Sequence, residues 1–273
     1  MFSIRLKNGV KIPVLGLGTW RLSGEETIEI VKKALKMGYK HIDTAERYGN
    51  EAEIGIAIEK FDRDKLFLTS KVWYDHLHYQ DILSACKDSL KKLRTDYLDL
   101  YLVHWPNPFI DMKETFQALK ELYSKGMIKW VGVSNFTMRH LKKALPICES
   151  LSLPIIINQV EFHPFLYQGD LLNFCRKNHI LLTAYRPIAK GLVNENSIIR
   201  QIAEKYQKTP AQVTLKWFIQ QEIIAIPKAS SEEHLRENID IFDFKLEDLD
   251  FQKIKGQNQN RRLVKIDIAD FDN

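Results

Sequence analysis

Short apolar runs that end on a charge alternate, along most of the chain, with longer segments whose apolar positions recur every three or four residues. The short runs predict strands at 15–19, 40–43, 66–71, 98–104, 130–134, 155–161, 180–185 and 223–227. The periodic segments predict helices at 25–37, 51–60, 81–93, 112–125, 137–145, 198–206 and 210–220. Gly38 closes the first helix, Gly49-Asn50 gives a turn and N-cap signal for the second, and Thr209-Pro210 supplies N-cap and first turn of the last. Ahead of this series, 2–14 reads as a hairpin turning at Asn8-Gly9, a pair that tolerates positive φ. Eight strands interleaved with helices, with no Pro/Gly/Ser-rich linker, predict one α/β domain. Its architecture is a (β/α)8 TIM barrel, with a hairpin cap over 1–14, the barrel over 15–253 and a C-terminal segment over 254–273. A doubly wound sheet is the competing architecture. No strand is followed by the full GxGxxG that a dinucleotide-binding sheet of that type uses, since Gly16 and Gly18 supply only its first two glycines.

Composition narrows the function classes. In 273 residues, 45% hydrophobic and 27% charged describe an ordinary soluble globular protein with room for a large core. The net charge of +5 comes from 40 basic and 35 acidic residues dispersed along the chain, so nucleic acid is not expected as a partner. A small anionic ligand is the more natural beneficiary of that excess. Cys86, Cys148 and Cys175 are too scattered for a disulfide framework or a zinc site, which fits a reducing cytoplasm. The N-terminus has no signal-peptide core and no run approaches the roughly eighteen apolar residues of a membrane span, so a soluble, cytoplasmic, unprocessed monomer is expected.

Three strand ends carry dissimilar ionisable groups: Asp43, Lys71 and His104, with Tyr48 in the loop after Asp43. Successive βα loops converge at one end of a barrel, so the four are expected to form one site. The chemistry they suit is carbonyl reduction, which leaves an alkoxide needing a proton. Tyr48 is the expected donor. A lysine ammonium about 4 Å away contributes about 4 kcal/mol at an effective dielectric near 20, enough to lower the phenol by roughly three pK units from about 10. Lys71 fills that role, Asp43 keeps Lys71 charged, and a neutral His104 donates a hydrogen bond to the substrate oxygen. Taken singly, each admits a plainer reading: a rim ion pair, a turn aromatic, a satisfied histidine.

The motifs GLGTW (16–20), HIDTAERYGNE (41–51), LTSKVW (68–73), LYLVHWP (100–106), GVSNF (132–136) and NQVEFHP (158–164) resemble the aldo-keto reductase superfamily, in order and over nearly the whole chain. KLRTDYLDL, AYRPIAKG and NRRLV are most similar to its bacterial branch that reduces 2,5-diketo-gluconate and methylglyoxal. The resemblance implies a metal-free (β/α)8 barrel using NADPH, with the tetrad on Asp43, Tyr48, Lys71 and His104. It places Ser134, Asn135 and Gln159 at the nicotinamide carboxamide and Tyr185 against its ring. Gly18, Thr19, Asp43, Pro187 and Ile188 line the rest of the cofactor cleft, and Lys228, Ala229, Ser230, Ser231, His234, Glu237 and Asn238 hold the adenosine end. Arg186 stands where other branches have a small residue and is expected either to touch the cofactor's phosphates or to face solvent. The segment from Ser230 to Glu233 also reads as a capping box, whose helix N-terminus favours an anion. His234 stands where the family often has an adenine-stacking arginine, and Ser231 where it has a basic residue, so NADH is expected as a second, poorer cofactor. Trp20, Trp73 and Trp105, with Tyr48 and His104, are the implied substrate contacts in an open pocket. His76 and His78 with Asp75 are not assigned a metal, and His163 reads as structural. Two rivals remain: a regulatory subunit of the same fold with incidental turnover, and a phosphate-binding barrel lyase or isomerase.

Overall fold

The computed structural model describes residues 3–5, 9–264 and 266–268. A two-stranded hairpin, β1 (Ser3–Arg5) and β2 (Lys11–Pro13), pairs antiparallel with Ile4 opposite Ile12. Its expected Asn8-Gly9 turn lies partly outside the described residues; Gly9 has φ +86°. Eight parallel strands follow: β3 (Leu17–Gly18), β4 (His41–Asp43), β5 (Phe67–Val72), β6 (Leu98–Val103), β7 (Ile128–Ser134), β8 (Ile155–Glu161), β9 (Leu181–Tyr185) and β10 (Ile224–Ile226). Each pairs with its sequence neighbour. The last strand returns to the first through parallel bridges at Leu15 with Ala225 and Gly18 with Lys228, and through Gly16 N to Ala225 O at 2.9 Å. The result is a (β/α)8 TIM barrel.

Ten α-helices are present among the described residues. Those that lead to the site are α1 (Gly24–Lys36), α2 (Glu51–Ile58), α3 (Tyr79–Leu93), α4 (Met112–Ser124) and α5 (Met138–Ser150); α6 (Gly169–Lys177), α7 (Ser197–Tyr206), α8 (Pro210–Ile219), α9 (Glu232–Ile239) and α10 (Asp248–Lys255) complete them. In α1, Thr27, Ile28, Ile30, Val31, Ala34 and Leu35 form the buried stripe that an amphipathic helix lays on a sheet, with Glu25 and Glu26 at its positive end and Lys33 and Lys36 at its negative end. α5 runs five residues past its predicted end despite Pro146, because the proline sits in a helix whose Leu141, Ala144 and Cys148 face is held against the barrel. α6 and α10 were not delimited by the apolar pattern: each is short and flanked by polar residues, and packing rather than periodicity fixes them.

Alternation along the strands decides what points inward. In β5 and β6, Leu68, Val72, Tyr101 and Val103 belong to the layer between barrel and helices, whereas Phe67, Leu100 and Leu102 fill the barrel interior with Val10 and Ile12 of the hairpin. The hairpin therefore plugs the N-terminal end. Two residues beyond Phe67 and its neighbours the interior turns polar, and it is at this C-terminal end that Asp43, Lys71 and Gln159 emerge.

Close helix packing depends on Gly55, where α2 meets the end of α3. A Cβ there would lie 2.3 Å from the carbonyl oxygen of Lys92 and 2.9 Å from the carbonyl carbon of Leu93, both backbone atoms. Gly55→Ala is therefore expected to destabilise the fold by about 1–3 kcal/mol, read as a lower urea midpoint, despite alanine's better helix propensity. An unchanged midpoint would show that the two helices separate without cost.

Candidate active site

Asp43 closes β4, Lys71 lies near the end of β5 and His104 directly follows β6, so three neighbouring strands deliver three side chains to one place. Lys71 is fully buried, and its Nζ donates to Asp43 Oδ1 at 2.5 Å, to the Thr44 carbonyl at 2.9 Å and to Tyr48 Oη at 3.2 Å. All three protons of the ammonium are thereby used. The second oxygen of Asp43 accepts from Gln159 Nε2 at 2.7 Å, across the barrel from β8. Burial alone would depress the lysine, but the opposed charge of Asp43 and the contact with Tyr48 hold its pKa above the ordinary value, so it stays an ammonium.

Tyr48 ends a single 3-10 turn, Glu46 to Tyr48, and Gly49 with φ +70° takes the left-handed conformation that closes the turn. Its ring meets Trp20 at 4.8 Å between centroids and His104 edge-on at 5.7 Å. The expected acidification is not found: burial raises the phenol above its usual value, with Lys71 pulling it down and Asp43 pushing it up. Burial, the largest influence, together with the Asp43 carboxylate outweighs the pull of the ammonium. His104 is held well below its usual pKa, first by burial and then by the charge of Lys71, and is neutral near pH 7. Trp73 stands edge-on to it at 5.1 Å.

On the β7 to β9 side, Ser134 Oγ donates to the Gln159 carbonyl at 2.9 Å, and Asn135 Nδ2 donates to the His104 carbonyl at 2.9 Å. Asn135 takes φ +63°, a left-handed conformation asparagine tolerates, and its Oδ1 accepts from Tyr185 Oη at 2.7 Å. Arg186 follows with φ +52°; the guanidinium is not turned wholly to solvent, because its Nη1 is buried without a hydrogen-bond partner among the described residues. Pro187 is buried and Ile188 half-buried beside it. Thr19 Oγ1 donates to the Asp43 carbonyl at 2.9 Å, and Gly18 packs so closely that a Cβ would lie 2.7 Å from the Ile226 carbonyl oxygen. Beyond β10, Lys228 is exposed and Ala229 buried, and α9 begins one residue later than the capping-box reading placed it. Ser231, not Ser230, is the N-cap, and its Oγ accepts from His234 N at 3.2 Å. Glu233 falls one position short of the reciprocal bond, so no box forms. His234 is exposed, Glu237 half-buried and Asn238 buried.

The aldo/keto reductase family pattern matches residues 14–259. The chain belongs to the aldo/keto reductase family. This reductase is 43% identical over 264 residues to the glyoxal reductase of Bacillus subtilis (strain 168), spanning 96% of this chain and 94% of that one. It is 38% identical over 265 residues to the methylglyoxal reductase DkgA of Escherichia coli (strain K12), spanning 95% and 94%. A solved structure provisionally named 2,5-diketo-D-gluconic acid reductase B superposes with TM-score 0.94 at 38% identity, covering 98% of this chain and 96% of that one. The protein is an oxidoreductase.

Two groups that position the reductase's site were not singled out from the sequence. Asn50 sits at the N-cap of α2, but its side chain caps nothing; Nδ2 donates to the carbonyls of Thr19 at 2.9 Å and Leu22 at 3.0 Å while Oδ1 accepts from Thr44 at 2.8 Å. It pins the loops after β3 and β4 together. Glu46 does the same for the loops after β4 and β5, accepting from Trp73 N and pairing with His76 Nδ1 at 3.1 Å. His76 is thus engaged by Glu46 and His78 by Glu114, and no group of three potential metal ligands occurs among the described residues. Of the three tryptophans, Trp20 is 43% exposed over Tyr48, whereas Trp105 is buried. The tail runs back over the rim, where Leu263 N and Val264 N donate to buried Glu161 at 2.8 and 3.1 Å, and His163 pairs with the same carboxylate at 3.3 Å. No helix among the described residues is long and apolar enough to cross a membrane.

Proposed function

We propose that this reductase converts small aldehydes, ketones or keto-sugar acids to alcohols with NADPH, Tyr48 giving the proton. The observation that carries the reading is the relay of Asp43, Lys71 and Tyr48, joined by hydrogen bonds of 2.5 and 3.2 Å beside a neutral His104. Reduced nicotinamide, when bound, supplies hydride to the carbonyl carbon. Tyr48 Oη protonates the oxygen as charge develops on it, and Lys71 compensates the phenolate left behind. Neutral His104 donates to the same oxygen and fixes the carbonyl's orientation.

The cofactor side is supported by residues whose polar capacity is unspent. Gln159 keeps one side-chain N–H and its amide Oε1 beside Asn135 and Ser134, which suits a carboxamide, and the buried, unpaired Nη1 of Arg186 suits an anionic oxygen. At the far end Lys228 has no carboxylate within ion-pair distance among the described residues, and Ser231 and His234 stand at the N-terminus of α9, where phosphate is favoured. A 2′-phosphate therefore gains from Lys228. With methylglyoxal as substrate and loss of reduced-nicotinamide absorbance as readout, kcat/KM is expected to be higher with NADPH than with NADH, by a margin narrowed by Ser231 and His234. Equal or better NADH values would refute the cofactor assignment. Cofactor binding without turnover would favour the regulatory-subunit reading, and activity with no nicotinamide a lyase or isomerase.

A further inference from the structure

We infer that Arg47 is a specificity-determining residue that pairs with a carboxylate on the substrate, several bonds from the carbonyl being reduced. This rests on the function proposed above. Arg47 immediately precedes Tyr48 in the 3-10 turn and is exposed. Its guanidinium carbon lies 5.4 Å from the centroid of Trp73, the same indole that meets His104 at 5.1 Å, so the cation shares a wall with the proposed carbonyl-orienting group. Among the described residues no carboxylate lies within ion-pair distance of it, although the neighbouring Glu46 is close in sequence. Glu46 is spent elsewhere, on Trp73 N and His76.

The local geometry keeps this cation in place. Glu46 ties the turn to the backbone of Trp73, Tyr48 N donates to the Ala45 carbonyl at 3.0 Å, and Gly49 N donates to the Glu46 carbonyl at 3.2 Å, so the turn carrying Arg47 and the indole beneath it are fixed to each other. A guanidinium lying on an indole has lost water from one face but keeps its N–H edge, the edge that pairs bidentately with a carboxylate. A lysine offers no such planar fork. The aromatic walls, Trp20 and Trp73, give a neutral ligand no charged partner, whereas an anionic one finds Arg47 at the rim. The guanidinium rests on Trp73 rather than on the Tyr48 and His104 pair, so the class selected is one whose carboxylate lies several bonds from the carbonyl, the ω-carboxylate aldehyde or the distal keto acid.

The test compares succinic semialdehyde with its neutral methyl ester, each at saturating NADPH, in the wild type and in Arg47→Met and Arg47→Lys. The wild type is expected to favour the anion in kcat/KM. In Arg47→Met the anion-to-ester ratio falls by about tenfold, through KM for the anion, while Arg47→Lys restores part of it and raised salt erodes the wild-type preference. A ratio that moves less than about twofold in Arg47→Met, or a wild type with no preference for the anion, overturns the assignment of Arg47 while leaving the reductase reading intact. If neither compound nor methylglyoxal consumes NADPH, the underlying function fails instead, and this inference with it.

Discussion

Tyr48→Phe is expected to lower kcat by about 10²- to 10⁴-fold, the usual contribution of a positioned general acid, while leaving NADPH affinity within about twofold. The substitution removes one oxygen. The ring keeps its contacts with Trp20 and His104, and Lys71 keeps Asp43 and the Thr44 carbonyl, so neither the fold nor the cleft loses an ion pair. Cofactor binding, followed by fluorescence quenching, separates loss of chemistry from loss of structure. The raised pKa of the phenol keeps its proton in place at neutral and mildly alkaline pH, as an acid catalyst requires. Retained kcat would remove Tyr48 from the reaction.

Lys71→Met is expected to damage stability as well as rate. Asp43 is 1% exposed, and without the ammonium its charge keeps only the hydrogen bond from Gln159 as named side-chain support. Breaking a buried pair by deleting one member costs about 3–5 kcal/mol, which corresponds to a Tm lower by roughly 10 °C in a domain of this size. Activity is expected to fall too, because Lys71 pulls the Tyr48 pKa down and, in the mechanism proposed above, compensates its phenolate. The double variant Asp43→Asn with Lys71→Met removes the orphaned charge and is expected to recover much of the stability and none of the activity. A Lys71→Met protein with wild-type Tm would mean that the pair is wetter than its burial indicates.

Much of this was legible in the chain itself, for identifiable reasons. Strands of a parallel barrel are covered on both faces, so 100–103 and 155–157 stand out as short apolar runs, and the ionisable groups at or just past strand ends, Asp43, Lys71 and His104, mark where strands surface. The ordering of those ends around one mouth follows from the topology. What the pattern left open is tertiary. The start of α9 lies one residue later because either of two adjacent serines can serve as N-cap, and the structure uses Ser231, with Leu235 of the helix fully buried. The roles of Asn50 and Glu46 were hidden because each bonds to backbone groups of loops distant in sequence, for which no local spacing exists. The acidity of the phenol is not legible from residue types, because burial, the largest influence on it here, exists only in the folded site.

The most direct test of proton donation by Tyr48 is a single turnover. Enzyme preloaded with NADPH is mixed with excess methylglyoxal in a stopped-flow instrument, and the decay of nicotinamide fluorescence is recorded for wild type and Tyr48→Phe. A rapid decay in the wild type and persistence of the signal in the variant, slower by at least about 10²-fold, is the predicted result. Decay at the same rate in both proteins would contradict it.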